Sequence, residues 1–197
     1  MRLVVNRVEA MNDSPSLPSL PPSLPPFLLA AVDPNSGTAA QLEVAKGLGA
    51  LLQTGWKPRR TIILASWSGE ELGLIGSTAW GEKHARELDA KAVLYVNVDS
   101  AVSGPFFQAG ATPSMKTLLE KLQEDVRHPY DGQPIARNWT ADGGINILGS
   151  GSDYTVFLDH LGGWVGIWGG QEGCVLMDCM LLCSCLISYS SILWGEF

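Results

Sequence analysis

Four acidic residues are placed where they could handle a cation and a water molecule: Asp33, the adjacent pair Glu70 and Glu71, and Asp99. Clustered carboxylates repel one another unless positive charge sits between them, and oxygen ligands suit a divalent metal. Of two neighbouring glutamates, one can bind a metal while the other takes a proton from metal-bound water. Water on zinc titrates near neutrality, so hydroxide could then reach a carbonyl. The plainer reading of a Glu-Glu pair is solvated charge on a helix surface.

The elements around these residues alternate between helix and strand signals. Ser36 can cap a helix in which Leu42, Val44, Ala45, Leu48, Leu51 and Leu52 recur at helical spacing, and Gly55 stops it. Thr61 to Trp67 is a β-rich run, and Glu70 and Glu71 follow it directly. Ser77 can cap a second helix reaching about Leu88, and Lys91 to Val98 reads as a strand that ends at Asp99. Thr112-Pro113 has the order of a third helix start, running to about Val126; Asp153 to Leu161 suits a short helix after Gly149-Ser150-Gly151. This alternation predicts an α/β fold with a largely parallel sheet covered on both faces. In such sheets ligand sites form outside the carboxyl ends of the strands, which is where the acidic residues fall. Asp33, in a turn before the first helix, can join them.

The 197 residues divide by composition into three zones. Residues 1–26 are rich in Pro, Ser and Leu and are expected to form an extended or disordered lead. Residues 27–162 form the α/β domain. Residues 163–197 are rich in Trp and Cys and read as an irregular apolar tail. A net charge of −7 argues against a nucleic-acid partner, because phosphate binding wants basic patches. The apolar stretch Leu24 to Val32 is broken by Pro25 and Pro26 and does not read as a signal peptide. Cys174, Cys179, Cys183 and Cys185 lack the spacing of a structural zinc site and read as reduced apolar filler. The uncharged run Cys179 to Gly195 is at the short end for a membrane span, so an aberrant or buried tail is preferred to a tail anchor.

Several motifs carry a resemblance. They are Val32-Asp33-Pro34-Asn35-Ser36-Gly37, Trp56 to Trp67 followed by Glu70-Glu71-Leu72-Gly73, Tyr95-Val96-Asn97-Val98-Asp99-Ser100, and Gly149-Ser150-Gly151-Ser152-Asp153-Tyr154. In their order and separations they resemble the zinc exopeptidases of the glutamate carboxypeptidase and transferrin receptor type, over about residues 30–162. The resemblance implies a three-layer α/β/α zinc-peptidase core, incomplete here, acting on peptides with two zinc ions. It implies that Asp33 bridges the ions, Glu71 binds one and Asp99 the other, and that Glu70 is the general base. Gly151 and Ser152 match the segment lining the substrate pocket, with Ser152 in place of an asparagine of glutamate-preferring members. The receptor branch has lost the Glu pair, which this sequence keeps.

The sequence departs from the pattern at two places. The resemblance implies one histidine per zinc. The position ten residues before Asp33 holds Ser23, and the region of the second histidine falls in the Trp- and Cys-rich tail. His84, His128 and His160 read as surface or packing residues. The expectation is therefore a metallopeptidase chain with impaired zinc binding, since an all-carboxylate set suits Mg²⁺ or Ca²⁺ better than zinc. The alternatives are a non-catalytic binding module and a truncated fragment whose flanks derive from unspliced sequence. The resemblance also implies homodimers of the secretory pathway or vacuole, but the matching residues include neither a dimerisation domain nor an anchor.

Overall fold

A computed structural model describes residues 3–7, 32–102, 109–128, 131–138, 145–162 and 165–168. Strand β1 (Leu3–Arg7) lies parallel to β2 (Ile62–Ser66), with Leu3 opposite Ile62 and Arg7 opposite Ser66. A second sheet has the order β3 (Tyr95–Asn97), β6 (Val165–Trp168), β4 (Ala109–Ala111), β5 (Ile145–Asn146). In it β3 and β6 run parallel, as do β4 and β5, while β4 and β6 are antiparallel. The helices are α1 (Asn35–Gln53), α2 (Ile75–Lys83), α3 (Ala85–Lys91) and α4 (Lys116–Asp125), with a π-helical turn at Val156–His160. The fold is mixed α/β, as the alternation implies.

The ends of the domain differ from expectation. Within the lead foreseen as disordered, Leu3–Arg7 is a strand: this stretch precedes the first proline, Pro15, and carries the β-branched pair Val4 and Val5. Residues 8–26 lie outside the described residues. At the other end, the sheet continues past Gly162. Val165–Trp168 is the strand between β3 and β4, not part of an irregular tail. The uncharged run Cys179 to Gly195 and the four cysteines lie outside the described residues. No helix among the described residues is long and apolar enough to cross a membrane.

Two local details also shift. Ser36 lies inside the first turn of α1 rather than at its cap, and Ser77 lies inside α2, which starts at Ile75 after Leu74 takes a left-handed φ of 58°. The helix expected to reach Leu88 breaks at His84 into α2 and α3, and α3 takes Lys91 away from the following strand.

Two apolar clusters hold the fold. In the first, Ala40 of α1 and Leu119 and Leu122 of α4 pack with Ala101, Ala109 and Val126, which fixes both helices against the second sheet. In the second, Tyr154, Val156 and Phe157 pack with Trp67, Trp80 and Tyr95. The Tyr95 and Phe157 rings stack with centroids 4.0 Å apart, and Trp67 and Trp80 lie at 5.3 Å. Aromatic pairs at these separations add to what their burial alone contributes.

Candidate functional site

The acidic residues are brought together by backbone contacts that leave little room. Gly37, near the start of α1, packs directly on the chain that follows β3. A Cβ at this position would lie 2.0 Å from the Asp99 carbonyl oxygen and 2.5 Å from that of Val98. Only glycine permits this approach. The Ser36 hydroxyl tightens it, donating to the Val32 carbonyl and accepting the Ala101 amide at 2.7 Å. The turn holding Asp33 is thereby tied to the segment holding Asp99.

Glu70 is set by a closed loop between β2 and α2. The Gly73 and Leu74 amides donate to the Glu70 carbonyl at 2.9 Å, and the Gly76 amide to the Ser68 carbonyl at 2.9 Å. Gly69 takes φ +69°, and a Cβ on Gly76 would lie 2.6 Å from the Ser68 carbonyl oxygen. The loop leaves Glu70 half-buried and Glu71 exposed on the turn.

The electrostatics record what these elements converge on. Partial burial, followed by the charges of Asp99, Asp153, Glu71 and Asp33, pushes the Glu70 carboxyl up to about 7. Burial also raises Asp99, to about 6; a hydrogen bond from Ser152 opposes the rise and the facing Asp33 carboxyl adds to it. Asp153 is raised by burial, with a hydrogen bond from Ser77 opposing. Asp33, Glu70 and Asp99 therefore share one region, joined by Asp153. Glu71 sits at its edge and is felt through its neighbour Glu70.

Asp153 was missed in the sequence, although it follows Ser152 directly in a motif already singled out. Ser152 itself is buried, and its hydroxyl is committed: it accepts from Asn97 Nδ2 at 3.0 Å and donates to Asp99 Oδ2 at 2.6 Å. Gly151 beside it is exposed, with φ +146°.

Two buried carboxylate oxygens, Asp99 Oδ1 and Asp153 Oδ1, have no hydrogen-bond partner. Asp33 faces Asp99 closely enough to raise its carboxyl through a side-chain contact as well as through charge. A buried, unpartnered carboxylate oxygen among other carboxylates is costly unless its charge is offset. The same residues do not complete a closed zinc site. No group of three or more His, Cys, Asp or Glu among the described residues is arranged to hold a metal ion. The three histidines stand elsewhere: His84 against Trp80 at 4.7 Å and Glu87 at 3.8 Å, His128 at 3.7 Å from Asp131, and His160 exposed. Two grooves of about 340 and 320 Å³ lie between Lys116 and Leu148 and between Thr78 and His160, away from the acidic cluster.

Comparison with known proteins identifies the family. The model of peptidase family M28 matches residues 13–164, which starts well before the limit of about residue 30 drawn from motifs. The chain is 51% identical over 137 residues to probable glutamate carboxypeptidase VP8 of Zea mays, covering 67% of this chain and 19% of that protein. It is 48% identical over 137 residues to probable glutamate carboxypeptidase LAMP1 of Arabidopsis thaliana, covering 67% and 20%. It is 40% identical over 146 residues to aminopeptidase NAALADL1 of Mus musculus, covering 67% and 20%. The chain thus spans about a fifth of the length of these relatives. A crystal structure of a peptidase M28 precursor from Shewanella amazonensis aligns with a TM-score of 0.49 at 20% identity, covering 83% of this chain and 37% of that one.

Proposed function

We propose, from the premise that this chain belongs to peptidase family M28, that it carries the carboxylate half of a metallo-exopeptidase centre. The observation that carries the reading is the closeness of Asp33 and Asp99, together with a buried Asp99 Oδ1 that has no hydrogen-bond partner. Asp33, Glu71 and Asp99 would hold the metal, zinc by family resemblance, with Asp33 as the bridge. A divalent cation bound there supplies an acidified water and a polarised substrate carbonyl. Glu70, half-buried next to Glu71, would serve as the base that takes a proton from the attacking water and returns it to the leaving amine. Gly151, exposed and with nothing within 4 Å of where a Cβ would stand, belongs with Ser152 to the segment that would line the substrate pocket. The names of the relatives support a peptide substrate with a free terminus, cleaved by a carboxypeptidase or an aminopeptidase.

Carboxylates alone bind zinc poorly compared with a mixed imidazole and carboxylate set. The inference for this chain is therefore weak zinc occupancy and impaired hydrolysis. A second reading, a non-catalytic binding module, is favoured by the placement of all three histidines away from the acidic cluster.

Metal analysis of the purified chain, with peptide hydrolysis measured with and without chelator, separates the two. About two zinc ions per chain with chelator-sensitive release of amino acids supports the peptidase. A folded, metal-free and inactive chain supports the binding module and refutes the peptidase reading.

A further inference from the structure

The groove of about 340 Å³ opens beyond the carboxyl ends of the parallel strands β4 and β5. Pro113, Ile145, Ile147, Leu148 and Leu158 wall it, and Lys116 is the charged residue on its rim. Leu148 lies over Gly110 of β4, with its Cδ2 2.8 Å from where a Cβ would stand. Ile147 is 96% exposed, more than any other large apolar side chain among the described residues. A single exposed apolar side chain is ordinary, but here it stands with four others on one concave face.

The sequence holds an apolar segment within reach of that face. Beyond Trp168, Glu172 and Asp178 are the first charged residues, and the run Cys179–Ile187 carries none. Trp168 of β6 pairs with Ala109 of β4, and Ala109 pairs in turn with Ile145, which lines the groove. The chain therefore leaves the sheet two strands away from Ile145, roughly 10 Å at the usual strand spacing. An extended connection from Gly169 to Asp178 spans up to roughly 33 Å. Strand β6 runs antiparallel to β4, so reaching the groove requires a reversal after Trp168. The pair Gly169-Gly170 suits one.

We propose that this groove docks the chain's own segment Cys179–Ile187, with Asp178 set against Lys116. Charge and tether both favour this occupant. The Lys116 side chain is 60% exposed and 3.8 Å from Glu120, which leaves its ammonium able to meet a second carboxylate. Asp178 directly precedes the uncharged run, so seating the run carries that carboxylate to the rim. The connection holds the segment at an effective concentration on the order of 1 mM, roughly a thousandfold above a second copy of the chain at 1 µM. The docking is independent of any metal or peptidase chemistry.

All four cysteines, Cys174, Cys179, Cys183 and Cys185, lie in or just before this segment, so their thiols report where it sits. The test uses the full chain with Ile147→Cys, and with Leu42→Cys as a control that is 64% exposed on α1. Each is reduced, diluted to about 1 µM so that contacts within a chain outnumber those between chains, and treated with oxidised glutathione. Peptide mapping locates the new disulfide. Ile147→Cys should link within the chain to Cys179, Cys183 or Cys185 at least about tenfold faster than Leu42→Cys does. Adding Lys116→Glu should slow that link about threefold, and Asp178→Lys in the same chain should restore it. Equal rates for Ile147→Cys and Leu42→Cys overturn the proposal, as does pairing of the four native thiols only with one another. A disulfide between two chains at Ile147→Cys would give the groove to a second copy and also overturns it. A rate indifferent to Lys116→Glu refutes the placement of Asp178 against Lys116.

Discussion

Replacing Glu70 by Gln should stabilise the cation-free protein above neutrality and leave it unchanged near pH 4.5. In the fold the Glu70 carboxyl is lifted from 4.5 to about 7, so the folded chain holds that proton more tightly than the unfolded chain does. Between those two values the unfolded state has ionised and the folded state has not, and stability falls as pH rises. Above about 7 the loss is complete; below 4.5 it is absent. The shift from 4.5 to about 7 corresponds to roughly 3 kcal/mol without screening. Glu70 is only half-buried, so solvent reduces the net penalty to about 1 kcal/mol. Glu70→Gln removes the charge and keeps the shape. Urea denaturation in chelator, followed by tryptophan fluorescence at pH 4.5, 6 and 8, should show the variant equal to wild type at the first and about 1 kcal/mol more stable at the last. Adding a divalent cation at pH 8 should narrow the gap, because it relieves the same repulsion in wild type. A variant less stable than wild type at pH 8, or one shifted equally at all three pH values, would refute the convergence of Glu70 with Asp33, Asp99 and Asp153.

Further outcomes follow from single contacts. Gly37→Ala should cost about 3 kcal/mol or more by denaturant titration, because its Cβ would stand 2.0 Å from a backbone oxygen that cannot yield without moving Asp99. Leu119→Ala, at a position with 0% exposure between α4 and the second sheet, should cost about 2–5 kcal/mol in the same assay. Asp99→Asn should abolish any Mn²⁺ binding while raising the melting temperature in chelator at pH 8, since burial and the facing Asp33 already disfavour its charge. Arg137→Ala should leave the melting temperature within error, because the Arg137–Asp131 pair at 2.6 Å is exposed on both sides.

How much of this was readable beforehand depended on the range of the interaction. Helix α1, strand β2 and helix α4 follow from residue spacing and punctuation a few positions apart, and Gly55 ends the first helix region at φ +89° as its residue type suggests. The cap assignments failed because α1 and α2 start before Ser36 and Ser77, whose hydroxyls bond back to the Val32 and Leu74 carbonyls. Strands β4 and β5, of three and two residues, are too short to carry an alternation. At the site, the sequence placed Glu70, Glu71 and Asp99 after strands and Asp33 in the turn before α1, but the strands before the Glu pair and before Asp99, β2 and β3, lie in separate sheets. Asp153 and the hydrogen bonds of Asn97 and Ser152 next to Asp99 were not legible, because polar side chains inside a core look like packing until their partners are known.

The placement of β6 between β3 and β4 bears on how the polypeptide is made. Tyr95 meets Val165 across the sheet, so the chain must bring together positions 70 residues apart before β3 has its ladder in this sheet, while β4 can pair only with β5. During synthesis β3 and β4 emerge from the ribosome long before the strand that joins them. Until Trp168 is released they offer open edges to any other extended chain nearby. A nascent chain stalled before this point would be a substrate for chaperones rather than a smaller version of the domain.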